Sequence, residues 1–464
     1  MRHLNACCFF LSCVFLLLVG ETPVSAWQEL QAPTPESLVQ AGEAHYAIPA
    51  SDENLPGNGP VRRYDWFEKL WQQRRWKWAN EAQQDQGALV FLGDSITQGW
   101  GDDMGNAFAT PVANRGISGD TTRGMLVRLD EDVLALHPKG VVLLAGTNDL
   151  EEKASVEQIA GNMKEILTRL HAFDPELPIV LCLVFPSSAQ KSRPADAIRK
   201  INQAYREVVA GRDYVTVVDT WTLFANSEGD AQVEEFPDLL HPNQDGYQKW
   251  AAALRPFLEK LNLVSVNMEK TLPVEQGFQS LFNGKDLSGW SYQPSSEEDR
   301  KAATGWKNAD PNAPAWPLLD ESISHQGKKV TNDGRYLANH GRLIVCYPPE
   351  GRKIQQLWTE ETFGGDLTLR LQFRASPNAD SGVFVCGKQL QCRDYLRAGP
   401  YKALAGFHDL GWNELEVVVR DGKARCTCNG EVLEEGWDVP PSGRIGLEGD
   451  RGQVEYRRIR VRKD

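Results

Sequence analysis

Ala88-Leu89-Val90-Phe91-Leu92-Gly93-Asp94-Ser95-Ile96-Thr97-Gln98-Gly99 joins an unbroken apolar run to a small polar turn. The run from Ala88 to Leu92 predicts a strand buried on both faces, and Gly93-Asp94-Ser95 predicts the turn from that strand into a helix. A serine so placed sits at the carboxyl end of a parallel strand, where open α/β sheets bind their ligands. Ser95 is therefore a candidate nucleophile.

The same alternation continues on both sides. Upstream, Tyr64-Asp65-Trp66-Phe67-Glu68-Lys69-Leu70-Trp71, followed by Arg74, Arg75, Trp76 and Trp78, has helical spacing. Its aromatics fit packing against a sheet, with a sugar-binding platform as the alternative. Downstream, a short apolar segment leads to Asn114-Arg115-Gly116-Ile117-Ser118-Gly119-Asp120. Thr121 or Thr122 then caps an expected helix whose buried face is Met125, Leu126, Leu129, Val133 and Leu136. Further strands are expected at 141–145, running into Gly146-Thr147-Asn148-Asp149, at 178–184 and at 214–218, with helices over 156–170 and 195–209. Apolar strands alternating with amphipathic helices predict a parallel sheet covered on both faces, with polar clusters after the strands.

The full chain is long enough for two cores. Its 41% hydrophobic and 24% charged content is that of a globular protein, and a net charge of -13 leaves no basic footprint for nucleic acid. Arg2, the apolar run Cys7 to Gly20 and Pro23-Val24-Ser25-Ala26 predict a signal peptide over 1–26. Export to a periplasmic or extracellular location is expected, with no membrane span after cleavage and an uncleaved anchor as the alternative. Residues 27–62, rich in Pro, Glu, Ala, Ser and Gly, read as a linker or loosely packed arm. Of nine cysteines, Cys182, Cys346, Cys386, Cys392, Cys426 and Cys428 lie beyond the leader. Export leaves one or two bridges open for the last five. Cys182 reads as a small buried hydrophobe. No Cys or His cluster has zinc spacing, and no cofactor is expected.

A serine hydroxyl needs a neighbouring base, and imidazole titrates in the useful range. His241, in Phe236-Pro237-Asp238-Leu239-Leu240-His241-Pro242-Asn243, lies in a polar loop beside a carboxylate. Asp238 is placed to hold the other ring nitrogen. The backbone N–H groups of Ser95 and Gly116 and the side-chain amide of Asn148 are candidate oxyanion donors, Gly116 having no Cβ to obstruct a substrate. Alone, each segment also fits a plain turn, a cap or a bend. All of them in order, each after a suitable segment, point to one site.

Gly93-Asp94-Ser95-Ile96-Thr97, Asn114-Arg115-Gly116, Gly146-Thr147-Asn148-Asp149 and Asp238-Leu239-Leu240-His241-Pro242 resemble, in order and spacing, the four motifs of the SGNH (GDSL) esterase/lipase family. The segment from Asn114 to Thr122 is most similar to its platelet-activating-factor-acetylhydrolase-like branch. The resemblance covers 63–263. It implies Ser95 as nucleophile, His241 and Asp238 as base and orienting acid, and Ser95, Gly116 and Asn148 as the oxyanion hole. The implied fold is a three-layer α/β/α flavodoxin-like sandwich on a parallel five-stranded sheet.

After a connector over 264–276 the helical period gives way to period two. Segments at 366–374, 415–420, 424–428 and 454–461, with Asp421-Gly422 and Asn429-Gly430 between some of them, predict an antiparallel β-sandwich over 277–464. Residues 291–329, polar and carrying several Pro and Trp, read as a long insertion loop. The opening Gly277-Phe278-Gln279-Ser280-Leu281-Phe282-Asn283-Gly284-Lys285-Asp286-Leu287-Ser288-Gly289-Trp290 resembles that of the 3-keto-disaccharide hydrolase family, a concanavalin-like jelly roll. Where that family usually shows an acidic residue two positions before a Gln, followed by Asp, this chain has Gln389-Leu390-Gln391-Cys392-Arg393-Asp394. Gln389 cannot exchange a proton as an acid or base. Carbohydrate recognition is therefore favoured for this half, with Arg374, Gln391, Asp394 and Trp412 as candidates for a sugar-facing patch. For Trp412 core packing is the alternative, and for Arg374 a cross-strand pair.

The expected function is that of an exported serine esterase removing short acyl groups, acetyl above all, from carbohydrate or another small ester. The alternatives are a 3-keto-glycoside hydrolase acting through the second half, and a non-catalytic carbohydrate-binding protein.

Overall fold

In the computed structural model, residues 32–101, 104–265, 274–309, 318–346, 355–401 and 403–464 are described. The expected signal peptide lies outside them. Five parallel strands, β1 (Leu89–Gly93), β2 (Val112–Gly116), β3 (Gly140–Leu144), β4 (Ile179–Cys182) and β5 (Val215–Val218), form one sheet in the order β2-β1-β3-β4-β5. Side chains alternate across it. Val90, Leu92, Val141, Leu143, Ile179 and Leu181 enter a core shared with Met163, Ile166 and Ile201. Leu89, Phe91, Val142, Leu144 and Val180 enter a second core with Trp250, Leu254 and Leu258. Two cores against one sheet make the expected three layers, and each fully buried Leu or Phe stabilises by roughly 1.5–3 kcal/mol. The order reverses between β1 and β3, and Ser95 follows β1 at that switch point.

Local chemistry sets the helix starts. Ser155 and Gln158 form a reciprocal capping box on the helix Val156–Phe173. Thr121 caps the earlier helix Thr122–Val127 as expected, but that helix stops at Val127 and resumes as Leu129–Asp132 and a 3-10 turn Leu134–Leu136. At the break Arg128 leaves helical geometry, and its fully buried guanidinium donates to the carbonyls of Gly93 and Arg115.

Two expectations are corrected. The described part of the arm, residues 32–62, is packed, because Leu38 and Tyr46 are buried, the Tyr46 hydroxyl donates to the Leu38 carbonyl at 2.7 Å, and Arg75 stacks on its ring. The insertion at 291–329 holds a helix, Glu297–Ala309, rather than loop alone. Ser296 accepts from the Asp299 N–H while Asp299 accepts from the Ser296 N–H, a Ser-x-x-Asp start signal in place before the helix.

The second half is two antiparallel sheets. One runs in the order Glu431–Asp438, Lys423–Cys428, Asn413–Arg420, Leu367–Ala375, Val454–Lys463, Arg342–Val345, Tyr336–Asn339, with Gln279–Ser280 also on Val454–Lys463. The other runs Lys388–Gln391, Asp380–Val385, Ser442–Arg451, Leu357–Gly364, Trp290–Tyr292, Ile323–Ser324. Leu367, Leu369, Leu371 and Phe373 point into the core between them. Both expected two-residue turns have positive φ at each residue, 48° and 72° at Asp421-Gly422 and 48° and 86° at Asn429-Gly430, as the hairpin twist demands. Among the described residues Cys182, Cys346, Cys386, Cys392, Cys426 and Cys428 are all free thiols.

The two halves touch through polar contacts. Arg342 and Asn339 bind the Glu259 carboxylate, Gln453 donates to the Ala252 carbonyl, Asn378 donates to Glu235, and Arg397 pairs with Asp245.

Candidate active site

Ser95 opens the short helix Ser95–Gly99, whose cap is Asp94, with Oδ1 accepting the Ile96 N–H at 2.9 Å. As the first helical residue, Ser95 leaves its own N–H without an intrahelical acceptor. From the far side of the sequence His241 brings Nε2 to 2.9 Å from the Ser95 Oγ, and its Nδ1 lies 2.8 Å from Asp238 Oδ2. An ionised carboxylate only accepts, so Nδ1 carries the proton and Nε2 is left to accept from the hydroxyl.

The loop that presents the pair is fixed by its own backbone. Asp238 Oδ1 accepts from the N–H groups of Leu240 and His241, at 3.1 and 2.7 Å. Partial burial alone raises the Asp238 pKa, but those two donors and the imidazole outweigh it and hold the carboxyl down at about 2. Leu239 is forced to φ 63°, a left-handed conformation for a non-glycine residue, and its carbonyl accepts the Ser187 hydroxyl at 2.8 Å.

Asn148 is buried and clamped. Its Oδ1 accepts from Arg193, and its Nδ2 donates to the Asp120 carbonyl, each at 3.0 Å, which leaves one amide hydrogen. Gly116 departs from expectation. Its N–H donates to Asn114 Oδ1 at 3.0 Å, so it is engaged rather than open. Its missing side chain also serves a different purpose from the one expected, since a Cβ there would lie 2.3 Å from the Gln98 nitrogen and 2.8 Å from the Asp94 carbonyl. The glycine lets the end of β2 approach the Ser95 helix.

Beneath the site lie three buried carboxyls. Burial raises Asp94 to about 7, an effect the Ile96 N–H opposes. It raises Asp120 to about 7 against the opposing Arg128, and Asp149 to about 6 against the donors of Thr122. Arg193, Arg62 and Glu151 form a further chain, with Glu151 Oε2 2.8 Å from Arg193 and 2.6 Å from Arg62. The sequence reading missed Arg62, Arg193 and Arg128, which reach the site from distant segments without a spacing signal.

Of the four sandwich candidates, Arg374 and Trp412 meet, and Asp394 is buried away from solvent. Arg374 belongs to the first sheet described, where it pairs with Glu455 at 2.7 Å and stacks on the ring of Trp412, the residue just before the strand Asn413–Arg420, and that ring also meets Arg457. Gln391 ends a strand of the other sheet and accepts from Arg393. Asp394 is buried, accepting from the N–H groups of Asn378 and Leu396 and from Arg397, so it is not sugar-facing. Among the described residues no group of His, Cys, Asp and Glu is placed to hold a metal ion, and no helix is long and apolar enough to cross a membrane.

Comparison with known proteins agrees with both halves. Residues 91–249 match the GDSL-like Lipase/Acylhydrolase family, and residues 277–462 match the 3-keto-alpha-glucoside-1,2-lyase-like domain. No curated protein matches the chain. Among solved structures, a proposed platelet activating factor from Streptococcus pneumonia is 24% identical, with 42% of this chain and 95% of that one covered at a TM-score of 0.39. A GDSL-like lipase from Bacteroides thetaiotaomicron is 25% identical over 40% of this chain and 97% of that one, with a TM-score of 0.35. A proposed glycosyl hydrolase from Parabacteroides distasonis is 14% identical over 43% of this chain and 97% of that one, with a TM-score of 0.27. The chain thus carries a GDSL-like lipase/acylhydrolase domain followed by a 3-keto-alpha-glucoside-1,2-lyase-like domain, and it is a carboxylic ester hydrolase.

Proposed function

We propose that this protein is an exported serine esterase that removes short acyl groups, acetyl above all, from carbohydrate. The observation that carries the reading is the hydrogen-bonded line from Ser95 Oγ through His241 to Asp238. His241 Nε2 takes the hydroxyl proton as Oγ attacks the ester carbonyl, and Asp238 stabilises the imidazolium that forms. The tetrahedral oxyanion is met by the Ser95 N–H and the spare hydrogen of Asn148, joined by Gly116 once its N–H leaves Asn114. Collapse expels the alcohol, which takes its proton from His241. Water activated by the same imidazole then hydrolyses the acyl-serine and restores both residues.

Three features support the substrate and its location. The match of residues 277–462 to a 3-keto-alpha-glucoside-1,2-lyase-like domain supports a carbohydrate substrate. Tyr64 and Trp66, about half exposed at 52% and 51%, stack on one another, and the Trp66 ring reaches the Gly119 segment just beyond Gly116. Such rings offer a flat apolar face to a sugar. The leader supports export.

The test is acetate release from acetylated oligosaccharides and from p-nitrophenyl acetate. Ser95→Ala is expected to lower turnover by at least about a thousandfold. Retained turnover in that variant would rule out Ser95 as the nucleophile.

A second reading places a glycosidase on the sandwich. It is favoured by the Glu448 carboxylate, which accepts from Gln389 across the intervening strand Asp380–Val385 and brings an ionisable group to the position where Gln389 itself cannot act. Cleavage of 3-keto-glycosides by the Ser95→Ala chain supports this reading, and no cleavage removes it.

A further inference from the structure

The His241 loop is held at both ends by the second domain. At its start, the buried Glu235 carboxylate accepts from Lys249 at 2.8 Å and from the Asn378 side chain at 3.1 Å, and the Glu235 carbonyl accepts the N–H of Asn243. At its end, Asp245 lies in the first turn of the helix Gln244–Lys260, which begins three residues after His241. Both Asp245 oxygens accept from Arg397, each at 3.0 Å. Burial depresses the Lys249 pKa, with Glu235 opposing, and the two side chains form a hydrogen-bonded anchor within the core.

The two anchors share one organiser. Asp394 Oδ2 accepts both the backbone N–H of Asn378, at 2.9 Å, and Arg397, at 3.2 Å. A single buried carboxylate therefore sets the position of both side chains that grip the loop from 235 to 245. Asp409 steadies Arg397 further at 2.9 Å.

We propose that Asn378, Asp394 and Arg397 are positioning residues for ester hydrolysis, and that the sandwich domain completes the esterase by fixing where His241 and Asp238 stand relative to Ser95. This rests on the catalytic reading above. None of the three touches the ester. They act through Glu235 and Asp245 on a loop whose base must stay within hydrogen-bond reach of Oγ, where a misplacement of about 1 Å costs on the order of a hundredfold in rate.

The test uses the full-length chain. Asn378→Ala, Arg397→Ala, Asp245→Ala and the Arg397→Ala/Asp245→Ala double variant are compared with the unaltered protein, well below the Tm measured for each. The readouts are kcat and KM on p-nitrophenyl acetate and the rate of Ser95 labelling by a small alkyl phosphonate, which also needs the base. We expect kcat and labelling to fall about tenfold in each single variant with KM within twofold, and the double variant to be no slower than Arg397→Ala, because both residues belong to one contact. Rates within twofold of the unaltered protein, or losses that multiply in the double variant, overturn the inference while leaving the Ser95 mechanism standing. An unaltered protein that takes up no phosphonate at Ser95 overturns both.

Discussion

At the scale of single residues, the site combines acids of opposite character. Asp238 is held at about 2 and stays a carboxylate over any working pH, whereas buried Asp94 and Asp120 rise to about 7 and Asp149 to about 6. The stability consequences have opposite signs. In the unfolded chain each aspartate returns to an ordinary value near 3.9, so between roughly pH 4 and 7 the folded protein holds protons that the unfolded one has lost. The stabilisation from the three buried acids is thus full below about pH 4 and declines as pH rises to 7. That from Asp238 is full above about pH 4 and is lost only as pH falls towards 2. We expect the Tm to decline between pH 5 and 8, and the decline to be shallower in Asp94→Asn, whose amide oxygen still accepts from Ile96. A pH series of thermal melts measures both slopes, and a variant as steep as the unaltered chain contradicts the assignment.

At the scale of elements, most of the site was legible because its motifs coincide with strand ends. Ser95 and Asn148 each sit where an apolar strand gives way to a polar turn, whereas His241 lies in a polar loop just before the helix Gln244–Lys260, and the fold then brings the three together. Gly116 was legible as a glycine but not for its purpose, because the Gln98 and Asp94 backbone that would meet its Cβ belongs to a neighbouring element. Gly116→Ala is expected to cost roughly 3 kcal/mol or more, since backbone atoms cannot move aside as a flexible side chain would. A shift of the urea midpoint at constant slope measures it, and an unshifted midpoint refutes the packing argument. The helix Glu297–Ala309 escaped notice for another reason: its polar composition outweighed the Ser296-Glu297-Glu298-Asp299 start signal. In the sandwich, period two predicted the strands and both hairpin turns, but not which strand faces meet, so residues on different sheets were grouped as one patch.

At the scale of the molecule, two domains of different period share a polar contact surface that adjoins the Asp238–His241 loop. Arg62, Arg193 and Arg128 show why sequence reading stops short of this scale. Each completes a network assembled from segments tens of residues apart, and such closure is a property of the folded chain. The six thiols carry one more consequence. Burial raises Cys182, Cys426 and Cys428 to about 12 and Cys346 to about 11, so these described residues present almost no thiolate near neutral pH. Unfolding returns these sulfurs to ordinary reactivity all at once. Heat-denatured protein cooled in the presence of a reductant should regain its esterase activity, whereas protein cooled in air should become locked in scrambled disulfides.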